Sequence, residues 1–179
     1  LLYMYTFSQD TLLNWLTAFC IFEIPLANFY LAISKETDTV TDWYSSKTIN
    51  IWNVIAQDML YVICGIVITY RIFNYLVDQG RLSKSFLNLV FVFIGVQLTG
   101  DLLFATIIRN WPESKSTKWI NYFKNYISKS GFSALFGDTL FIIAWSAAFY
   151  FVSTQIQSFD IKVFIICLFF FLVSAYSVQ

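Results

Sequence analysis

The sequence predicts an all-α integral membrane protein of about five transmembrane helices, forming a single membrane domain over residues 1–179. Three observations predict it. Hydrophobic residues make up 58% of the chain and charged residues only 12%, about half the charge of an ordinary soluble domain. Aromatics reach 21%, with 20 Phe and 11 Tyr, a weight that suits lipid-facing and interfacial surfaces better than a small aqueous core. The apolar residues also gather in runs close to the roughly 20 residues that a helix needs to cross a bilayer.

The first run covers about 11–33, and Asn14, Glu23, Pro25 and Asn28 interrupt it. Pro25 is expected to kink it and free a backbone carbonyl near Glu23. A re-entrant or interfacial helix is the alternative for this run. The other spans are expected at about 51–70, 86–108, 132–152 and 161–178. Between the third and fourth lies a different pattern at 118–129. At about 100° per residue, Trp119, Ile120, Tyr122, Phe123, Tyr126 and Ile127 fall on one arc, and Lys118, Asn121, Lys124, Asn125, Ser128 and Lys129 on the other. That is an amphipathic helix for the headgroup layer, or a cap packed on the bundle. In the interfacial reading, Trp119 and Phe123 enter the apolar layer and Lys118, Lys124 and Lys129 meet anionic lipid or a partner. Gly131 is a natural stop after it, and Trp111-Pro112 closes the third span. Seven Lys and Arg lie on the side of the two longer connections and four on the other, a weak bias that puts the longer connections on the cytoplasm-like side.

Several function classes are excluded. Net charge is zero, which offers no footprint for nucleic acid. There is no His, so His-based acid–base catalysis, haem ligation and most zinc or copper sites are ruled out. Cys20, Cys64 and Cys167 lack metal spacing and read as buried thiols. No cofactor or metal is expected. The chain opens on Leu1 with nothing basic before the first apolar run, so no signal peptide is recognised and an upstream piece is conceivable.

Function is sought first in the acids placed inside apolar runs: Glu23, Asp58, Asp101 and Asp138. A carboxylate at that depth costs several kcal/mol unless it is paired, hydrated or neutral. The depths of Asp58, Asp101 and Asp138 put all three toward the side of the longer connections, in one layer. They could relay protons, act as an aspartyl protease pair, or bond neighbouring helices and set their register. For the protease, Leu135 stands where a Gly-x-Gly-Asp motif wants glycine and no Pro-Ala-Leu occurs. The register role is favoured: Gln97 lies four residues before Asp101, on the same helical face, and Gly65, Gly95, Thr99, Ala144 and Ala148 offer small faces for close packing. Shifting the chain by 80 residues lays Asp58 on Asp138 and Leu60 on Leu140, which suggests a parallel two-helix repeat, spans two–three over spans four–five.

A spaced pattern runs from Trp43-Tyr44 through Val54-Ile55-Ala56-Gln57-Asp58, then Gly100-Asp101-Leu102-Leu103-Phe104 and Pro112, then Ile120-Asn121-Tyr122-Phe123-Lys124-Asn125-Tyr126, to Gly137-Asp138-Thr139-Leu140. It covers about half of the chain and resembles multispanning membrane proteins of large nucleocytoplasmic double-stranded DNA viruses. The resemblance implies a non-enzymatic structural or assembly protein of an internal virion membrane, associated with capsid proteins and without catalytic residues. Composition alone suggests an alternative, a small membrane-arm subunit of a divergent mitochondrial respiratory complex in the inner membrane. There the carboxylates would serve proton transfer or scaffolding.

Overall fold

A computed structural model describes residues 2–33 and 51–176. Among the described residues the chain is helical, with no strand. After a 3-10 turn at Leu2–Tyr5 come α1 (Gln9–Ile33), α2 (Ile51–Asp78), α3 (Phe86–Arg109), α4 (Lys118–Ser130), α5 (Phe132–Gln155) and α6 (Phe159–Tyr176). The first of the longer connections, with the Trp43-Tyr44 pair, and the end of the fifth predicted span lie outside the described residues.

Among the described residues three helices are long and apolar enough to cross a membrane: Trp52–Asp78 in α2, Phe86–Arg109 in α3 and Phe132–Gln155 in α5. No more than 28% of any of these spans is buried inside the protein. Their outer faces carry Leu60, Phe91, Leu103, Phe132 and Phe136, all exposed, an apolar surface that water would not tolerate at this extent. The first and fifth predicted spans are helices as well, α1 and α6. In α6 the 18 residues reach about 27 Å at 1.5 Å per residue, close to a hydrocarbon core of about 30 Å.

The polar residues that interrupt α1 have a structural explanation. Thr11, Asn14, Thr17 and Glu23 are buried together with Trp15, Ala18, Phe19 and Cys20, so the first half of α1 is enclosed on nearly every side. A helix enclosed by other helices needs polar partners more than lipid compatibility. Asn14 Nδ2 donates to Ser153 Oγ of α5 at 3.2 Å, and Thr17 Oγ1 bonds back to Leu13 O. The helix runs on through Pro25 without ending.

Aromatic contacts set the packing order. Trp15 stacks on Phe149 with ring centres 4.0 Å apart, Phe19 meets Trp145 at 5.3 Å and Phe22 meets Phe141 at 5.8 Å. Rising numbers on α1 thus meet falling numbers on α5, and the two helices are antiparallel. The other face of Phe19 touches Phe169 of α6. The edge of Trp15 meets Phe93 of α3, and its indole N–H donates to the Tyr70 hydroxyl of α2, which donates in turn to Met4 O at 2.7 Å. Gly65 allows α2 and α3 to close, since a Cβ there would lie 3.3 Å from the Phe93 ring. Gly95 and Thr99 face open space or solvent instead, so they are not packing faces. The thiol reading also changes: Cys20 is buried, but Cys64 and Cys167 are exposed on outward helix faces, and all three are free.

The two halves of the expected repeat are paired differently. α2 packs on α3, and α3 on α5, but the main neighbour of α6 is α1. The turn between α4 and α5 is Gly131 alone, at φ 50° and ψ −130°, a conformation that an L-residue adopts only under strain. An Ala Cβ there would meet nothing within 4 Å, so the penalty is one of backbone only. Gly131→Ala is expected to cost about 1–2 kcal/mol and lower the thermal midpoint by a few degrees. Gly95→Ala, equally open but inside α3, is expected to be neutral or slightly stabilising. Thermal unfolding of both variants in detergent checks this.

Candidate functional site

Asp58 and Tyr61 lie one turn apart on α2, Gln97 and Asp101 one turn apart on α3, and Asp138 and Thr139 are adjacent on α5. The antiparallel packing brings them together near one end of the bundle. Asp101 is the hub. The Tyr61 hydroxyl donates to its Oδ1, and Gln97 Nε2 donates to its Oδ2. The Asp138 carboxyl lies beside Asp101, and both Asp101 and Asp58 are near enough for their charges to act on it. Thr139 Oγ1 lies 3.3 Å from Gln97 Oε1 and donates back to Leu135 O at 2.8 Å. The cluster therefore clasps α2, α3 and α5 across the bundle.

Sequence reasoning missed Tyr61. Its signal was there in two places: it follows Asp58 by three residues, on the same helical face, and Gly100 precedes Asp101. A Cβ on Gly100 would stand 2.9 Å from the Tyr61 hydroxyl, so the missing side chain is what lets the phenol reach the carboxylate. Glu23 lies on a different helix. It is buried on α1, beside Phe22, whose ring meets Phe141 of α5, about one turn beyond the level of Asp138.

Two carboxyls side by side repel when both are ionised and are eased by one shared proton. A proton-sharing pair can serve proton transfer, or activate water if an oxygen is left free. Both oxygens of Asp101 already accept from Tyr61 and Gln97, which favours a holding role over water activation. Among the described residues no group of three His, Cys, Asp or Glu is arranged to hold a metal ion.

The amphipathic helix α4 roofs this end. Thr117 caps it, its side chain accepting from Ile120 N. Ile120 is buried, and Trp119, Phe123 and Phe104 of α3 form a three-ring cluster with centres 4.7–5.9 Å apart. The Trp119 indole donates to Gln57 Oε1 at 2.6 Å, one residue before Asp58. The apolar arc is thus packed against the bundle over the carboxyl cluster. Of the lysines, Lys118 and Lys129 are exposed, as a lipid- or partner-facing role requires. Lys124 is not free for that role: its ammonium ion-pairs with Glu113 and donates to Trp111 O, tying α4 to the turn after α3.

Three apolar helices, an outer face of exposed Phe, Leu and Ile, and polar groups turned inward define a helical membrane protein. No protein-family model, curated protein or solved structure matches the chain.

Proposed function

We propose that this is a non-enzymatic structural membrane protein in which all five long helices cross the bilayer, with α1 enclosed by the others. The carboxyl cluster fixes helix register, and α4 presents the loop end of the bundle to lipid headgroups and to neighbouring proteins of a larger assembly. The observation that carries this reading is the engagement of both Asp101 oxygens. Its Oδ1 accepts from Tyr61 of α2, its Oδ2 from Gln97 of its own helix α3, and Asp138 of α5 lies beside it. Buried polar groups satisfied in this way specify packing. The spaced sequence pattern favours the internal membrane of a large DNA virus as the setting, with the α4 end turned toward capsid proteins.

One observation favours the second reading, a membrane-arm subunit that moves protons. Asp101 and Asp138 form a carboxyl pair with a third acid in range, the composition of a relay. Asn substitution at 58, 101 and 138 separates the two, because Asn keeps hydrogen bonding and cannot titrate. A structural role predicts Asn variants that assemble close to wild type, and vesicles that show no proton flux with any of these proteins. Flux in wild-type vesicles that disappears in Asp138→Asn would reject the structural assignment.

A further inference from the structure

The bundle end opposite the carboxyl cluster holds a polar cavity of about 200 Å³, between the start of α1 and the α5–α6 turn. Asp10, Leu13, Asn14, Gln157, Phe159 and Lys162 line it. Two of these side chains are out of balance with their surroundings. Lys162, in the first turn of α6, is only 7% exposed, and among the described residues no carboxylate ion-pairs with it. Asn14, on α1, is 2% exposed, and its Oδ1 is buried without a donor, while its Nδ2 is used on Ser153. A buried cation calls for an anion, and a buried orphan acceptor for an N–H or O–H donor. Asp10, on the rim, adds a second acceptor with negative charge. One ligand chemistry meets both demands: an anionic phosphate and a protonated amine a few bonds apart.

We propose that this cavity binds a phosphoethanolamine group, with the phosphate on Lys162 at the N-terminal turn of α6 and the ammonium N–H groups on Asn14 Oδ1 and Asp10. Leu13 and Phe159 supply the apolar part of the lining. The end of a membrane bundle is where headgroups lie, so a phospholipid is one source of the group and a free phosphoamine the other. The Lys162 site is electrostatically favourable for phosphate because the helix start adds partial positive charge.

The test uses the full chain purified in detergent and stripped of lipid. Soluble phosphoethanolamine, phosphocholine, inorganic phosphate and ethanolamine are titrated separately against the thermal midpoint. In parallel the chain is placed in nanodiscs of mixed phosphatidylethanolamine, phosphatidylcholine and phosphatidylglycerol, and retained lipid is identified by native mass spectrometry. Phosphoethanolamine or its lipid should bind about tenfold more tightly than the choline analogue, the worth of one charge-assisted hydrogen bond, because a quaternary ammonium has no N–H to donate. Lys162→Gln should weaken every phosphate probe, Lys162→Arg should retain binding, and Asp10→Asn should narrow the gap between ethanolamine and choline. Lipid retention without a response to the soluble group identifies a headgroup site, and a response to the soluble group identifies a small-molecule site as well; either supports the assignment. It is overturned if neither a soluble probe nor phosphatidylethanolamine binds, if Lys162→Gln binds as wild type does, or if inorganic phosphate, phosphocholine or phosphatidylcholine binds as tightly as the phosphoethanolamine form that is bound. Should Lys162→Gln fail to fold, the wild-type ligand series decides alone.

Discussion

Replacing Asp101 with Leu is expected to destabilise the protein by about 3 kcal/mol. The apolar replacement fits lipid-like surroundings, yet it strands the Tyr61 hydroxyl and the Gln97 amide and leaves the Asp138 carboxyl without its polar neighbour, and a stranded buried polar group costs about 1–3 kcal/mol. Interhelical hydrogen bonds in membranes average less than that, about 0.6 kcal/mol, so the sum is set nearer one unit per group than three. Asp101→Asn keeps an acceptor for Tyr61 and is expected to cost about 1 kcal/mol or less. Gly100→Ala approaches the same clasp from the other side, since its Cβ would push the Tyr61 hydroxyl off Asp101. Reversible unfolding of the chain in bicelles measures all three. A Leu variant as stable as the Asn variant would mean that the cluster does not hold the helices together.

Trp15→Ala is expected to have a larger effect, about 3–5 kcal/mol, the usual range for truncating a buried large aromatic. Trp15 is 3% exposed and touches three helices besides its own: Phe149 by stacking, Phe93 by an edge contact and Tyr70 by its indole N–H. Trp15→Phe keeps the stack and loses the hydrogen bond, so about 1 kcal/mol is expected. The level of Phe149 is eleven residues along α5 from Asp138, about 16 Å at the helical rise. Trp15→Phe and Asp101→Asn share no partner at that distance and should therefore add within about 0.5 kcal/mol in a double-mutant cycle. Strong coupling between them would show that the two ends of the bundle unfold as one packed unit.

The sequence by itself determined the helical class, the five long helices, the amphipathic segment and its Gly131 boundary, and the acids worth examining. Each follows from information local in the chain: run length, a 3.6-residue period, a cap, a residue that accepts positive φ. Five spans were expected; among the described residues three helices are long and apolar enough to cross a membrane. What only the tertiary structure decided is which face of each apolar helix turns inward. In a membrane the lipid is as apolar as the core, so a span of Phe, Leu and Ile carries little amphipathic signal to orient it. Partner choice was illegible for that reason: α6 leaves α5 for α1, contrary to the repeat that the aspartates suggested. The same limit hid Tyr61 beside Asp101, the outward turn of Cys64 and Cys167, and the burial of Lys162, which reads in sequence as a cation at the end of a span. Polar residues in spans were visible as anomalies one at a time. Only the antiparallel packing of α2, α3 and α5 made Asp101 and Asp138 partners, because contact between residues 37 positions apart in sequence is set by helix neighbours and register, not by local pattern.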